Sequence, residues 1–401
     1  MTQINMSISK LFYLLLEVIN KAIPFLMIPY LANSMELQDY GRTELFISSY
    51  IIIGFVIQFG FDGWIAANFN GEKNQFNGTV KLYLKSIVLI SMILFLVNYL
   101  LFNFWALVFI IALSNTLLTI TSTILRFENK LVISGVLLLS SSIVTVTSIL
   151  VTFEMLDSSF EHRIAALAIS SVIIFIMVIA TIQRYCSEIV NARIITKNTK
   201  QVVFFCLPLC FAMLSSWAKG NVDKFYIQSI MGFDDLAIYS VALQLASVLN
   251  VITVIINKIY QVDFHKGMSE SKSQKNNILK LVILICTFAA LYVATINIIF
   301  DFIFVKKYEN SLLYYSSLVV NFVIISFVMI INNYFIYLKK SSAIMFHVAI
   351  TSLAHILISP MMIRSHGIYG VIFTNFITSF LSIVLSLILL KLIINRGSMT
   401  P

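Results

Sequence analysis

Six ionisable residues stand within long apolar stretches of this sequence. They are Glu17, Lys21, Asp62, Lys219, Asp223 and Lys224. A charged side chain at the centre of a bilayer costs about 2.5–3.5 kcal/mol on insertion scales, so it usually faces a cavity or a partner. Three of the six are acidic and three are basic. We therefore expect them to bind a charged ligand or to neutralise one another.

Two acid–base pairs are spaced one helical turn apart. Glu17 precedes Lys21 by four residues, and Lys219 precedes Asp223 by four. Each pair could neutralise itself locally, because residues four apart meet on a helix surface. Alternatively, Lys21 faces a cavity and attracts an anionic diphosphate while Glu17 tunes it, and Lys219 is a second cavity cation.

Asp62 and four further residues are candidates for substrate contact or for gating. Asp62 shares a helical face with Glu44, Ser48 and Gln58, and it either lines a path or is solvated at a span end. Arg42 is an interface anchor or part of a gate. Gln244 belongs to a ladder of hydroxyls and amides suited to sugars or to helix packing. Pro24 and Pro208 are candidate hinges, since proline frees a backbone carbonyl.

Histidine and cysteine offer two further patterns. His347 and His355 lie two turns apart, either as a proton relay or as hydrogen-bonded core residues. Cys206 and Cys210 lie one turn apart, but no histidine or carboxylate joins them, which favours packing over a metal site. The sequence has no G-x-x-x-x-G-K-[ST], H-E-x-x-H, G-x-S-x-G or C-x-x-C motif. We expect no enzymatic activity, no catalytic residues, no cofactor, no metal and no disulfide framework.

The composition identifies the elements that must position these residues. Of 401 residues, 59% are apolar and only 11% are charged, whereas soluble proteins carry roughly 25% charge. Apolar runs near twenty residues predict spanning helices rather than a barrel of alternating strands. Twelve spans are predicted, over residues 7–32, 43–69, 80–101, 104–125, 131–153, 164–182, 202–231, 236–257, 279–300, 312–338, 342–363 and 368–392.

The charges predict the orientation. With both termini in the cytoplasm, 19 of the 27 Lys and Arg residues fall on the inner side and 5 on the outer side, as the positive-inside rule requires. Most of the net charge of +9 is therefore interpreted as a topology signal, and it no longer supports a nucleic-acid partner. Short outer loops leave no room for a folded extracellular domain.

An offset of 196 residues relates the first pair of spans to the seventh and eighth. Tyr30 then matches Tyr226, and Asp39 matches Asp235. Six spans between equivalent points predict two parallel halves related by a pseudo-two-fold axis along the membrane normal. We expect a six-helix half over residues 1–190, a cytoplasmic linker over 191–201 and a second half over 202–401. Substrate would bind between the halves and cross by alternating access.

Two segments resemble a known family. Residues 21–32, KAIPFLMIPYLA, are followed by Asp39-Tyr-Gly; Leu207-Pro-Leu precedes Asp223-Lys-Phe-Tyr-Ile and Ala237-Ile-Tyr-Ser. This pattern resembles the bacterial O-antigen flippases (Wzx) of the multidrug/oligosaccharidyl-lipid/polysaccharide exporter superfamily. Ala237 departs from it, because glycine usually precedes Ile-Tyr there. The resemblance implies a flippase of the bacterial inner membrane that moves an undecaprenyl-diphosphate-linked oligosaccharide outward for O-antigen or lipopolysaccharide biosynthesis. Its partners would be that substrate, membrane lipids and other polysaccharide assembly proteins.

Two alternative functions stay open. A cation-coupled multidrug exporter of the same superfamily would need an acidic cavity, and the charges within the spans show no acidic excess. An amino-acid or sugar permease of an unrelated twelve-span fold would show a nested inverted repeat, and the sequence shows none.

Overall fold

The computed structural model describes residues 2–196, 199–270, 274–338 and 340–397. Within these ranges the chain forms α-helices, two short 3-10 turns and the connections between them. Residues 197 and 198 of the predicted linker lie outside the described residues.

The first eight helices precede residue 197. They are α1 Thr2–Ser34, α2 Leu37–Gln58, α3 Phe61–Asn68, α4 Lys73–Phe102, α5 Leu107–Phe127, α6 Leu131–Met155, α7 Phe160–Tyr185 and the short α8 Ser187–Asn191. A 3-10 turn, Asn103–Ala106, joins α4 to α5.

Six longer helices follow. They are α9 Thr199–Ile230, α10 Phe233–Ser269, α11 Lys275–Ile303, α12 Glu309–Tyr337, α13 Ser341–His366 and α14 Ile368–Gly397. A second 3-10 turn, Lys306–Tyr308, precedes α12.

The protein is an all-α integral membrane protein, as the composition predicts. Among the described residues, 12 helical segments are long and apolar enough to cross a membrane. Only helices and closed barrels satisfy their own backbone hydrogen bonds in hydrocarbon, which explains why apolar runs of this length fold as helices. The cytoplasmic position of the termini and the internal repeat stay predictions.

The second predicted span is found over Leu37–Asn68, but its helix is broken into α2 and α3. Phe59 and Gly60 have φ of 51° and 70° and separate α2 from α3. The left-handed region is open to glycine and rarely adopted by other residues. The Tyr83 hydroxyl lies 3.1 Å from the Ile57 carbonyl and 3.0 Å from the Gln58 carbonyl, so its one hydrogen is shared between these two oxygens at the break.

The connection predicted over residues 258–278 is also shorter than expected. Helix α10 continues to Ser269, and α11 begins at Lys275. Charged residues mark where the membrane ends, but a helix bonds its own backbone and can continue into water. Charge pattern therefore located the boundary of the span and not the end of the helix.

The chain divides into two compact units. Unit 1 comprises Met1–Tyr30 and Ser34–Leu214; unit 2 comprises Leu31–Asn33 and Ser215–Pro401. The boundary between them falls within α9, whereas the predicted linker over residues 191–201 stays a prediction.

Unit 1 packs around α5, which lies against α2, α4, α6 and α7. Its largest cluster of buried apolar side chains includes an aromatic stack. The Phe61 and Tyr83 rings are 3.7 Å apart, and Trp64 stacks on Phe76 at 5.7 Å. This stack joins α3 to α4 and holds the short helix in place.

Unit 2 packs α12 against α10, α11 and α14, and α13 against α14. A smaller apolar cluster joins the end of α10 to α11 and α12 through Phe264, Ile285 and Ile330. The four cysteines of the chain are free thiols; Cys186, Cys206 and Cys210 are buried, and Cys286 on α11 is exposed.

Candidate functional site

Unit 2 contains a cavity of about 430 Å³ among α9, α10, α12, α13 and α14. Polar groups from all five of these helices line it. They include the amides of Asn250, Asn321, Asn332 and Asn375 and the hydroxyls of Ser247 and Ser382. Amides and hydroxyls both donate and accept hydrogen bonds, so this lining suits a ligand rich in hydroxyl groups.

Lys219 brings a positive charge to this cavity. It lies in the second half of α9 and is partly buried. No carboxylate lines the cavity among the described residues, and Lys219 forms no ion pair within that part of the chain. The cavity therefore presents a cation whose charge no neighbouring acid neutralises.

Asp223, one turn after Lys219, is bonded elsewhere. His355 Nε2 lies 3.0 Å from both carboxylate oxygens of Asp223, and the Ser359 hydroxyl donates to Asp223 Oδ1. Both side chains of the histidine–aspartate pair are within 2% of complete burial. Of the two interpretations open for Lys219 and Asp223, the local pair is not formed in the structure.

His347, on the same helix as His355, lines the cavity and is also hydrogen-bonded. Its Nε2 lies 3.1 Å from Asn332 Oδ1, and its Nδ1 lies 3.2 Å from Ser382 Oγ. The two histidines therefore have separate partners two turns apart.

In the first helix the local pair does form. Lys21 Nζ lies 3.0 Å from Glu17 Oε1, and the two side chains are 41% and 25% exposed. An anion approaching Lys21 would compete with Glu17. The structure thus brings Glu17 and Lys21 together within unit 1. In unit 2, Asp223 pairs with His355, and Lys219 forms no ion pair among the described residues.

The remaining predicted site residues lie in different surroundings. Asp62 stands in the first turn of α3 and lines a separate cavity of about 360 Å³ with Thr123 and Arg126. The break before α3 removes it from the continuous face predicted with Glu44, Ser48 and Gln58. Arg42 lies 3.9 Å from Asp39, one turn earlier on α2.

Gln244 and the two candidate hinges stand within continuous helices. Gln244 is partly buried on α10, and its backbone carbonyl accepts a hydrogen bond from the Ser247 hydroxyl at 2.7 Å. Pro24 lies inside α1 and Pro208 inside α9. Both helices continue past their prolines, so neither proline ends its helix. A hinge at Pro24 or Pro208 stays a prediction.

Comparison with known proteins places this architecture in a family. The family described as polysaccharide biosynthesis protein matches residues 9–262, more than half of the chain. The chain belongs to this polysaccharide biosynthesis family. Among curated proteins, no sequence matches it.

Solved structures give the fold of this polysaccharide biosynthesis protein. The lipid II flippase MurJ in an inward closed conformation superposes with a TM-score of 0.72 at 13% identity, covering 97% of this chain and 87% of that one. An inward-facing multidrug resistance transporter of the MATE family and MOP superfamily gives 0.70 at 12% identity, covering 96% and 99%. A MOP superfamily transporter from Pyrococcus furiosus gives 0.57 at 11% identity, covering 97% and 95%. At these identities the likeness shows the fold.

Three residues of this family member were missed as site neighbours by sequence reasoning. Ser359 and Thr378 bond the buried Asp223–His355 pair, and Asn332 bonds His347. Serine, threonine and asparagine are common in membrane helices as packing residues, so their types gave no signal. Spacing on α13 would have found Ser359, which follows His355 by one turn.

Proposed function

We propose that the chain is a flippase that moves an undecaprenyl-diphosphate-linked oligosaccharide from the inner to the outer leaflet of the bacterial inner membrane by alternating access. The oligosaccharide would be an O-antigen unit or a similar repeat. The protein would carry out no covalent chemistry, because its task is to bind the polar head of the lipid and release it on the other side.

The observation that carries this proposal is the charge of the unit 2 cavity. A diphosphate is anionic, and an ammonium group such as that of Lys219 attracts it and donates charge-assisted hydrogen bonds. The amides of Asn250, Asn321 and Asn332 supply donors and acceptors for sugar hydroxyls in the same space. The cavity therefore offers a cation for the phosphate and hydrogen-bonding amides for the saccharide.

The same cavity argues against a cationic drug as the substrate. A drug carrying a positive charge would meet Lys219 with no acid beside it among the described lining residues. Like charges repel more strongly in a low-dielectric interior than in water. The family description and the fold shared with a structure named as a lipid II flippase support a lipid-linked saccharide in its place.

Lys219 is our first choice for the phosphate contact, ahead of Lys21. Glu17 already lies 3.0 Å from the Lys21 ammonium, and a diphosphate would have to displace that carboxylate. Lys219 has no such competitor among the described residues, since Asp223 is bonded to His355 and Ser359.

The test replaces Lys219 in cells from which the gene has been deleted. Deletion should leave lipid-linked saccharide on the cytoplasmic leaflet and remove it from the surface. Lys219→Ala should lower surface saccharide by about tenfold to hundredfold, because a hydrogen bond to a charged group contributes about 1.5–3 kcal/mol. Lys219→Arg should restore much of it by keeping the charge.

The matched control is Lys275→Ala, which removes an exposed lysine at the first position of α11 and should leave surface saccharide unchanged. Protein level in the membrane is measured for every variant. Full surface saccharide in Lys219→Ala, or drug sensitivity with normal saccharide in the deletion strain, would contradict the proposal.

A further inference from the structure

Unit 1 contains a further cavity, of about 340 Å³, among α3, the start of α4 and the first turns of α9. Its size lies within the range of small-molecule sites, about 300–1,000 Å³. Its polar lining consists of the amides of Asn68, Gln75 and Gln201, the carboxylate of Glu72 and the hydroxyl of Thr79. These groups can donate and accept hydrogen bonds from several sides of one space.

An aromatic stack gives the cavity a fixed base. Trp64 and Phe76 both line it, and the Trp64 ring stacks on Phe76 at 5.7 Å and on Phe61 at 5.0 Å. These contacts join α3 to α4 and hold the indole in one position. A base held in this way does not have to be ordered again when a ligand binds.

Two nearly buried polar groups of the lining have no partner. The Trp64 indole N–H forms no hydrogen bond with the described residues, and the Thr79 hydroxyl has none in that part of the chain. Trp64 is 8% exposed and Thr79 is 5% exposed. Most buried polar groups in proteins are hydrogen-bonded, so two unpaired ones at one cavity indicate a ligand that supplies the missing partners.

The charge of the lining limits the chemistry of that ligand. Among the described residues the cavity has no lysine or arginine, and Glu72 is its one acidic residue. A phosphate group would meet the Glu72 carboxylate with no cation to offset the repulsion. A carboxylate does, however, accept hydrogen bonds from hydroxyl groups. The lining therefore fits an uncharged ligand rich in hydroxyls.

We propose that this unit 1 cavity binds uncharged sugars of the saccharide, at a site distinct from the Lys219 cavity; the choice of ligand rests on the proposed function. A sugar ring carries hydroxyls around its edge and C–H groups on its faces. Gln75 and Gln201 hydrogen-bond the hydroxyls, and Phe205, 43% exposed at the rim, gives the C–H groups an apolar aromatic surface.

The position of the cavity suits a first contact with substrate. The predicted topology puts residues 70–79 at the cytoplasmic end of the spans, where a saccharide assembled in the cytoplasm arrives. Sugars held here are recognised without any contact to the diphosphate. The site therefore selects for sugar composition independently of the charge attraction at Lys219.

The test uses the purified full-length protein in a detergent without sugar headgroups. The probe is the saccharide obtained by hydrolysing surface polysaccharide from wild-type cells, which carries no lipid diphosphate. Replacing Trp105 and Trp217 with phenylalanine leaves Trp64 as the one tryptophan of the chain, so its fluorescence reports on this cavity. Titration with the saccharide should give a saturable change in Trp64 emission, and no change would overturn the proposal.

Two substitutions in this background locate the binding groups. Gln75→Ala removes an amide from the wall, and Glu72→Ala removes a carboxylate from the exposed rim, where folding does not depend on it. Each should raise the dissociation constant about twofold to tenfold, the effect of losing one hydrogen bond. The matched control is Asn74→Ala, an exposed neighbour outside the lining, which should bind as before. Equal constants for all of these proteins would overturn the proposal.

Inorganic pyrophosphate separates this cavity from the one that contains Lys219. It should leave Trp64 emission unchanged; a saturable change would reassign the cavity to phosphate and overturn the proposal. Failure of the flippase proposal would appear separately, as normal surface saccharide in the deletion strain. Saccharide binding reported by Trp64 would still support the unit 1 site in that case.

Discussion

Arg163 and Glu44 form a buried ion pair between α7 and α2 of unit 1. Arg163 Nη2 lies 3.9 Å from Glu44 Oε1, and both residues are at most 5% exposed. The Arg163 guanidinium also lies 5.3 Å from the centre of the Tyr40 ring. Each of these two buried charges is stabilised by the other. Removing one of them should therefore lower the free energy of unfolding more than replacing both with apolar residues.

We expect Glu44→Ala to lower the free energy of unfolding by about 3–5 kcal/mol, because it leaves the Arg163 charge buried without its partner. Replacing both residues, as Glu44→Leu with Arg163→Met, should cost much less, since no charge is then left in the interior. Unfolding of the purified protein in mixed micelles measures both. Equal losses in the two proteins would show that the charges do not depend on each other.

Sequence reasoning identified candidate residues of the site better than it identified the residues they contact. The spacing of Lys219 and Asp223 correctly put both on one face of a spanning helix, and left open whether they pair with each other. The answer lay in His355, 132 positions away along the chain, which the structure brings to Asp223. A contact between α9 and α13 depends on tertiary packing and leaves no mark in local periodicity.

The break between α2 and α3 is held by a close approach of α9. A Cβ built on Gly60 would lie 2.6 Å from Leu209 Cβ and 3.0 Å from the Cys206 carbonyl oxygen. Gly60 also has φ of 70°, which costs other residues roughly 1–2 kcal/mol. This position therefore combines a conformational and a steric requirement for glycine.

Gly60→Ala should destabilise the protein by about 2–5 kcal/mol, the sum of left-handed strain and of overpacking against α9. The matched control is Gly54→Ala in the preceding helix, where a Cβ would meet Thr116 Oγ1 at an ordinary 3.7 Å. That change should be neutral or stabilise by about 0.5–1 kcal/mol, as alanine does inside a helix. Denaturant titration of both variants in micelles gives the comparison, and similar stabilities would refute it.

Most elements could be predicted because hydrocarbon leaves the chain few choices. A run of about twenty apolar residues must bond its backbone internally, and a helix does so. The break at Phe59 was not predicted, although Gln58, Gly60, Asp62 and Gly63 make this part of the span less apolar than the rest and Asp-Gly is a turn signal. It persists because Tyr83 and the aromatic stack on Phe61 stabilise it from another helix.

At the level of the whole molecule, composition alone identified a membrane protein, and the family match and the fold agree with that conclusion. The resemblance of residues 21–32 and 207–240 to flippases is consistent with the polysaccharide biosynthesis family that residues 9–262 match. Composition alone could not identify the substrate, because we interpret most of the net charge as a signal of the predicted orientation. The feature that bears on the substrate is the balance of charge in the unit 2 cavity, where Lys219 is present and no carboxylate is among the described lining residues.

One of the four cysteines, Cys286, is exposed and can be labelled selectively. Burial raises the pKa of the Cys186 thiol to about 12, so almost none of it is the reactive thiolate at neutral pH. Cys206 and Cys210 are buried, whereas Cys286 is exposed beside the exposed apolar residues Ile283 and Leu284 on α11.

N-ethylmaleimide, which enters lipid, should modify about one thiol per folded chain, detected by intact mass, and Cys286→Ser should remove that adduct. A sulfonated maleimide that stays in water should modify none in sealed membranes. Equal labelling of a second cysteine would refute this. A fluorophore could then be attached at the lipid-facing side of α11 in the otherwise unaltered protein, so that conformational change could be followed in the membrane without a cysteine-free background.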